Sequence, residues 1–331
     1  MAHLATLGDS FRSFFDAINS FFASIGAVRW GPLILALLCY GTYMTIRSRA
    51  SYNVLRAAYP NERFRWREIW GAFLAGYGVN AVIPARPGDV VRLFLTKTSI
   101  PNSSYAAVGA ASISELIFDW SINLMILPYA FTQGVFPKPP DFAKLNAFDL
   151  SYFAAHPKFT AFLVTLIGVA VIAGIALLSV RVRAFWARVK QGLTILTDRR
   201  RYLREVWLVQ LGAWLFRCAT YYFMLEAFNV GGSVHNVLLV LGVLSVSAVV
   251  PFTPGGAGVQ QALLVEVFAG NATAATVAAY SVGQQVAIAA FTFAIGFAAL
   301  FFVFRIRSFK EALDRGRSDR AADEAARAAA G

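Results

Sequence analysis

The chain has 331 residues, 58% of them hydrophobic and only 15% charged, with a mean hydropathy of +0.57. This composition excludes an ordinary soluble two-domain protein and fits a polytopic helical membrane protein. The formal net charge of +12 does not point to nucleic acid, because the basic residues fall in short connectors between apolar runs, where orientation signals and anionic-lipid contacts are expected.

Residues 1–28 place Phe11, Phe14, Phe15, Ile18, Phe21, Phe22 and Ile25 on one helical face, with Arg12, Asp16, Asn19 and Ser20 largely opposite. That pattern predicts an amphipathic helix lying on the membrane, with a first membrane span as the competing reading. A signal peptide fits poorly, because Asp9 and Asp16 interrupt the region.

A span from about Trp30 ends in a basic segment holding Arg47, Arg49, Arg56, Arg63, Arg65 and Arg67, which the positive-inside rule makes cytoplasmic. The apolar run Glu68 to Pro84 is short for a crossing. It stops at Val79 to Arg92, VNAVIPARPGDVVR, where two prolines, a glycine and charges interrupt membrane-like sequence. Proline ends a helix interior and suits a helix start, so the stretch predicts a re-entrant hairpin from the cytoplasmic side with a half-helix from Asp89 to Lys97. The span Ser104 to Phe131 follows, then a loop from Gln133 to Lys158 expected outside.

Phe159 to Val180 returns inward to a strongly basic connector carrying Arg181, Arg183, Arg188, Lys190, Arg199, Arg200, Arg201 and Arg204. Val206 to Phe228 goes out again, Val234 to Val250 leads into a second break, and Ala272 to Phe304 comes back in. That second break, VSAVVPFTPG from Val246 to Gly255, shares six of ten positions with the first at a constant offset of about 167 residues, which reads as an internal duplication.

The organisation expected is therefore all-α and polytopic, with two inverted-topology repeats that each contain a Pro/Gly-broken re-entrant hairpin. Its parts are an amphipathic helix (1–28), a first repeat (29–132), an outer loop, linking span and basic connector (133–204), a second inverted repeat (205–306) and a cytoplasmic tail (307–331). Inverted repeats with paired broken helices are a recurring transporter architecture, with the substrate site near the midplane between them.

Charges inside spans are costly and mark candidate sites. Arg86, Asp89 and Arg92 belong to the first break, Glu115 and Asp119 lie one turn apart on the next span, and Arg217 belongs to the second repeat. Glu115 and Asp119 share a helix face and could meet the arginines of the hairpin or Arg217, as a structural pair or as proton carriers. Helix starts after Pro87-Gly88 and after Pro254-Gly255-Gly256 would offer free N–H groups and a positive dipole end to phosphate.

The candidate substrate-binding residues are thus Asn80, Arg86, Gly88, Arg92, Arg217, Thr253, Gly255, Gly256 and Gln260. Asp89, Glu115 and Asp119 are the ion-pair or proton candidates, and Pro84, Pro87, Pro251 and Pro254 the hinges. Gln284 and Gln285 read as polar glue between helices. Cys39 and Cys218 both fall inside predicted spans and read as buried thiols. No CxxC or metal-spaced cluster occurs, so neither metal nor cofactor is expected.

The stretches Asn80 to Arg92, Ser114 to Asp119 (SELIFD) and Pro251 to Gly258 (PFTPGGAG) resemble the motifs of the flippase-like integral membrane family that includes the transmembrane half of lysylphosphatidylglycerol synthases. The resemblance runs from about Trp30 to Phe304 and implies translocation of a lipid or lipid-linked headgroup between leaflets. Two departures stand out: Leu116 replaces a frequent arginine, and Gln260 and Gln261 occupy positions where the family often has glutamate. The soluble aminoacyl-transferring domain of those synthases is not expected within 331 residues.

The function expected is non-enzymatic flipping of an anionic phospholipid or polyprenyl-phosphate-linked substrate in a bacterial-type inner membrane, with the C-terminus cytoplasmic. A homo-oligomer or a lipid-synthesis enzyme is the possible protein partner. The rival readings are a membrane-embedded lipid-modifying transferase and a non-catalytic subunit of a lipid-synthesis complex.

Overall fold

The computed structural model describes residues 28–82, 87–133, 185–249, 259–270 and 272–305. Within them every extended regular element is a helix, and the one strand-like feature is an isolated bridge between Ala269 and Ala272. The expectations for the N-terminal amphipathic helix, the outer loop, the span Phe159 to Val180 and the C-terminal tail fall outside the described residues.

In chain order the elements are α1 (Trp30–Ala58), α2 (Trp66–Val82), α3 (Gly88–Ser99), α4 (Tyr105–Thr132) and α5 (185–192). A 3-10 turn (Thr194–Thr197) and α6 (Arg199–Tyr202) then lead through a π turn (Leu203–Trp207) into α7 (Leu208–Ala227). The second half continues with α8 (Val234–Val249), α9 (Val259–Val267) and α10 (Ala274–Phe302). Helices α4 and α10 are long and apolar enough to cross a membrane.

Local chemistry sets the helix starts. The Ser104 hydroxyl accepts from the Ala107 N–H at 3.2 Å to begin α4, Thr273 accepts from the Thr276 N–H at 3.2 Å to begin α10, and Asp198 accepts from the Arg201 N–H at 3.0 Å to begin α6. Such side-chain caps satisfy N–H groups that the first helical turn leaves unpaired, each contributing about 1 kcal/mol.

The frame is an antiparallel pair, α1 with α7. At one end the Arg29 N–H donates to the Ala227 carbonyl at 2.9 Å, and at the other the Asn53 amide donates to the Glu205 carbonyl at 2.7 Å. Helices α2 and α3 turn back on each other as a hairpin. At Gly88 an added Cβ would stand 1.9 Å from the Gly76 carbonyl oxygen, so only glycine lets these two backbones meet. Helix α2 in turn crosses α10 where a Cβ on Gly78 would stand 2.9 Å from the Gly296 Cα.

The apolar core is split along the helix axes. One cluster joins Ala50 to Ala58 of α1, Ala107 to Ala111 of α4 and Val206 near the start of α7. The other large cluster joins Leu33 and Ala36 of α1, Phe118 to Ala130 of α4, Tyr221 to Phe228 at the end of α7, and much of α8. Two smaller clusters hold α2 against its neighbours. On α1, α4 and α7 the residues between the two large clusters carry the charges.

Candidate functional site

The band between the two cores opens into a cavity of about 750 Å³, walled by α1, α2, α3, α4, α7 and α8. Three arginines line it, Arg47, Arg92 and Arg217, together with the acids Asp89, Glu115 and Asp119. Asp119 and Arg217 lie at the middle of the 28-residue α4 and the 20-residue α7. At about 1.5 Å per residue the charges therefore sit far from either end of their helices.

Two ion pairs cross the cavity. Arg92 on α3 donates to Glu115 on α4 at 2.7 Å and to the Ser51 hydroxyl on α1 at 2.6 Å. Ser51 in turn donates to the same Glu115 carboxylate, which joins three helices at one point. The Glu115 side chain is 6% exposed, and the Arg92 guanidinium lies 4.5 Å from the Phe73 ring centroid. The second pair joins Arg47 on α1 to Asp119 on α4. Arg47 also donates to the Tyr43 hydroxyl at 3.1 Å, while its Nε is buried with no partner among the described residues.

Arg217 differs from these two arginines. Its guanidinium lies 6.0 Å from the Tyr221 ring centroid, and it is within electrostatic reach of Tyr43 and Arg47. Among the described residues it makes no ion pair. The wall facing it is polar in places: on α8 the Ser245 hydroxyl donates to the Asn123 carbonyl oxygen of α4 at 3.1 Å.

Several sequence-derived candidates thus converge on one cavity: Arg92, Arg217, Glu115, Asp119 and Asp89 all line it. Asn80 and Gly88 stand at the hairpin turn instead. The Asn80 side-chain Oδ1 accepts from the Gly88 N–H at 2.7 Å, and its Nδ2 donates to Asp89 at 3.0 Å. This corrects the expectation of free N–H donors at the start of α3: Asn80 caps Gly88, and the Val90 and Val91 N–H groups both reach the Pro87 carbonyl. Pro87 is the N-cap of α3, in helical conformation.

Gln260 accepts from Gln285 at 3.0 Å, and Gln261 donates to Gln285 at 3.3 Å, so these amides knit α9 to α10 outside the cavity. Pro84, Arg86, Pro251, Thr253, Pro254, Gly255 and Gly256 lie outside the described residues. Glu226 pairs with Arg29 at 3.0 Å at a helix end, and Glu266 is exposed.

The sequence reading also missed a residue. Arg47 was counted into the cytoplasmic basic run, yet its side chain is only 11% exposed and points into the cavity. The signal was present, since Tyr43, Arg47 and Ser51 recur at i, i+4 and i+8 and so share one helix face. Tyr40, Tyr77 and Tyr221 add phenol groups to the same lining. Among the described residues no cluster of His, Cys, Asp and Glu could hold a metal ion.

A family model described as the lysylphosphatidylglycerol synthase TM region matches residues 13–296. No curated protein and no solved structure matches the chain. Matched over most of its length, the chain belongs to the family of the lysylphosphatidylglycerol synthase transmembrane region, an integral membrane protein whose function is tied to membrane lipid.

Proposed function

We propose that this chain moves an anionic lipid, or a lipid-linked anionic headgroup, between the leaflets of a bacterial-type inner membrane, without altering it chemically. The observation that carries this reading is the convergence of three arginines on one cavity between two apolar cores. Charge that deep within apolar helices is costly and is retained where it faces a partner or a ligand.

The cavity lining balances most of its own charge, with Arg92 on Glu115 and Arg47 on Asp119. Arg217 has no carboxylate partner among the described residues, so a phosphate reaching it has no carboxylate to displace. A phosphate then competes with the carboxylates for Arg92 and Arg47, since both anions accept the same charge-assisted bonds. Each ion pair ties α4 to another helix, so exchanging carboxylate for phosphate loosens α4 from α1 and α3. Ligand binding and helix movement are coupled in this way, which alternating access requires.

Two features support inverted repeats with re-entrant hairpins. The breaks share the V-x-A-V-(I/V)-P-x-x-P-G frame, and both are followed by a short helix. Ile69 and Ile100, at the open end of the α2–α3 hairpin, pack in the core cluster beside the basic connectors. Val237 and Phe268, at the open end of the α8–α9 pair, pack in the opposite cluster. With the basic connectors cytoplasmic, the first hairpin opens inward and the second outward, and the C-terminus is inside.

Arg217→Gln is the cleanest probe, because it strands no carboxylate. In reconstituted vesicles carrying a headgroup-labelled anionic lipid, leaflet exchange should fall by about tenfold, the scale of one lost charge-assisted hydrogen bond. Unchanged exchange by a folded variant would sink the assignment. Mass spectrometry of the recovered lipid should show unaltered mass, whereas a new covalent product would favour a transferase.

A further inference from the structure

A second concavity lies on the other side of the α1–α2 pair, apart from the charged cavity. It has a volume of about 480 Å³ and runs between α1, α2 and α10. Its deep end is made by Leu38, Leu74 and Phe291, and its other end by Arg67 and Phe302. From Phe291 to Val303 the α10 wall rises about 18 Å at 1.5 Å per residue. One leaflet of hydrocarbon is about half of a ~30 Å core, so the groove is as long as a single leaflet is deep.

The chemistry of the wall is that of a hydrocarbon site. Its polar side chains are turned to protein partners: Thr42 donates to the Leu38 carbonyl at 2.9 Å, and Thr45 accepts from the Trp70 indole at 3.2 Å. The rest of the shaft is aliphatic and aromatic. The exception is Arg67, exposed at the mouth, which gives one N–H to the Phe302 carbonyl at 3.2 Å. A guanidinium has five N–H donors, so its outward edge still faces the rim. Arg305 follows two residues beyond Val303 at the same end, and the positive-inside rule puts this mouth at the cytoplasmic face.

An apolar slot one leaflet deep with a cation at its mouth suits an amphiphile with an acyl chain below an anionic head, and the phospholipids of the surrounding leaflet are of that kind. We infer that this groove holds a cytoplasmic-leaflet phospholipid with an anionic headgroup, its chain along α10 and its phosphate on Arg67. The site is independent of the translocation reading, and lipid held there stays on one side of the membrane.

The test uses the full chain in detergent and two variants. Ala298→Trp fills the slot from an exposed position on α10, and Arg67→Gln removes the cation while keeping a hydrogen-bonding side chain. Retained lipid is counted by native mass spectrometry after exposure to phosphatidylglycerol or phosphatidylcholine, and a photoreactive acyl chain maps its place. The parent chain should keep phosphatidylglycerol preferentially and cross-link within 291–303. Ala298→Trp should lose that lipid while melting at the parent temperature, and Arg67→Gln should lose about tenfold in preference for phosphatidylglycerol over phosphatidylcholine.

Cross-linking spread equally over the exposed α4 face at Trp120, Leu124 and Met125 would overturn the site, as would retention indifferent to Ala298→Trp. A chain that binds equally well in both lipids would overturn the role of Arg67. Leaflet exchange measured alongside separates this result from that of the charged cavity, since Ala298 does not line the latter.

Discussion

Arg92 on α3 meets Glu115 on α4 at 2.7 Å, whereas in the second half Gln260 on α9 meets Gln285 on α10 at 3.0 Å. Both contacts tie a short helix after a Pro/Gly break to the long helix that follows. The first tie is ionic, reinforced by Ser51 and set beside the large cavity; the second is made of neutral amides. Nearby on α10 the Tyr280 and Ser281 hydroxyls and the Gln284 carbonyl oxygen are buried without a partner among the described residues. An ion pair in a low-dielectric setting resists separation more than an amide pair does. The first helix pair is thus clamped by charge, while the second can exchange partners at lower cost.

The comparison can be broken most severely at the hairpin turn. In Gly88→Ala the new methyl would stand 1.9 Å from the Gly76 carbonyl oxygen and 2.7 Å from Asn80 Oδ1, and backbone cannot yield as a side-chain tip can. A loss of about 3 kcal/mol is expected, at the upper end of ordinary overpacking, read as a lowered melting temperature or poor recovery in gel filtration. A melting temperature equal to the parent's would show that the two helices do not meet as closely as described.

Next in size is the charge clamp itself. Arg92→Ala leaves Glu115 buried without its ionic partner and should cost about 2 kcal/mol, less than for a fully buried pair because the Arg92 side chain is 22% exposed. Converting both partners, Arg92→Gln with Glu115→Gln, recreates the amide tie of the second helix pair and should recover much of that loss while leaflet exchange stays low. Recovery of exchange by the double variant would mean that the clamp is structural and the arginine does not meet the lipid.

The smallest effect is expected in the second half. Gln285→Ala removes amide contacts to Gln260 and Gln261 and should cost about 1 kcal/mol, the net worth of a neutral hydrogen bond. If the melting temperatures of Arg92→Ala and Gln285→Ala fell alike, the contrast between the two helix pairs would disappear.

The helices and their ends were legible because they rest on local rules. The short run before the first break became α2 (Trp66–Val82), and the proline that starts a half-helix is the N-cap of α3. Glu115 and Asp119 were legible as a pair on one face because the helical period fixes it. Of their partners, Arg92 stood among the hairpin arginines expected to meet them, and Glu115 takes it; the others were not expected there. Asp119 takes Arg47, which sits in a basic run expected in the cytoplasm, and Glu115 also takes Ser51, marked in sequence only by sharing a helix face with Tyr43 and Arg47. Asn80 looked like a ligand group until its amide was seen closing the hairpin turn.

By itself, the sequence determined the membrane class, the helix starts at Ser104 and after Pro87, the doubled Pro-Gly break and the rarity of charge inside apolar runs. These depend on transfer free energy and on contacts within a few residues, which a linear chain already contains. Only the tertiary structure decided that Arg47, Arg92 and Arg217 face one cavity, that two of them are paired and one is not, and that a separate apolar slot ends at Arg67. Those outcomes depend on how α1, α4, α7 and α10 are rotated against one another, and that rotation is set by close backbone approaches such as Gly78 on Gly296 between residues far apart in the chain.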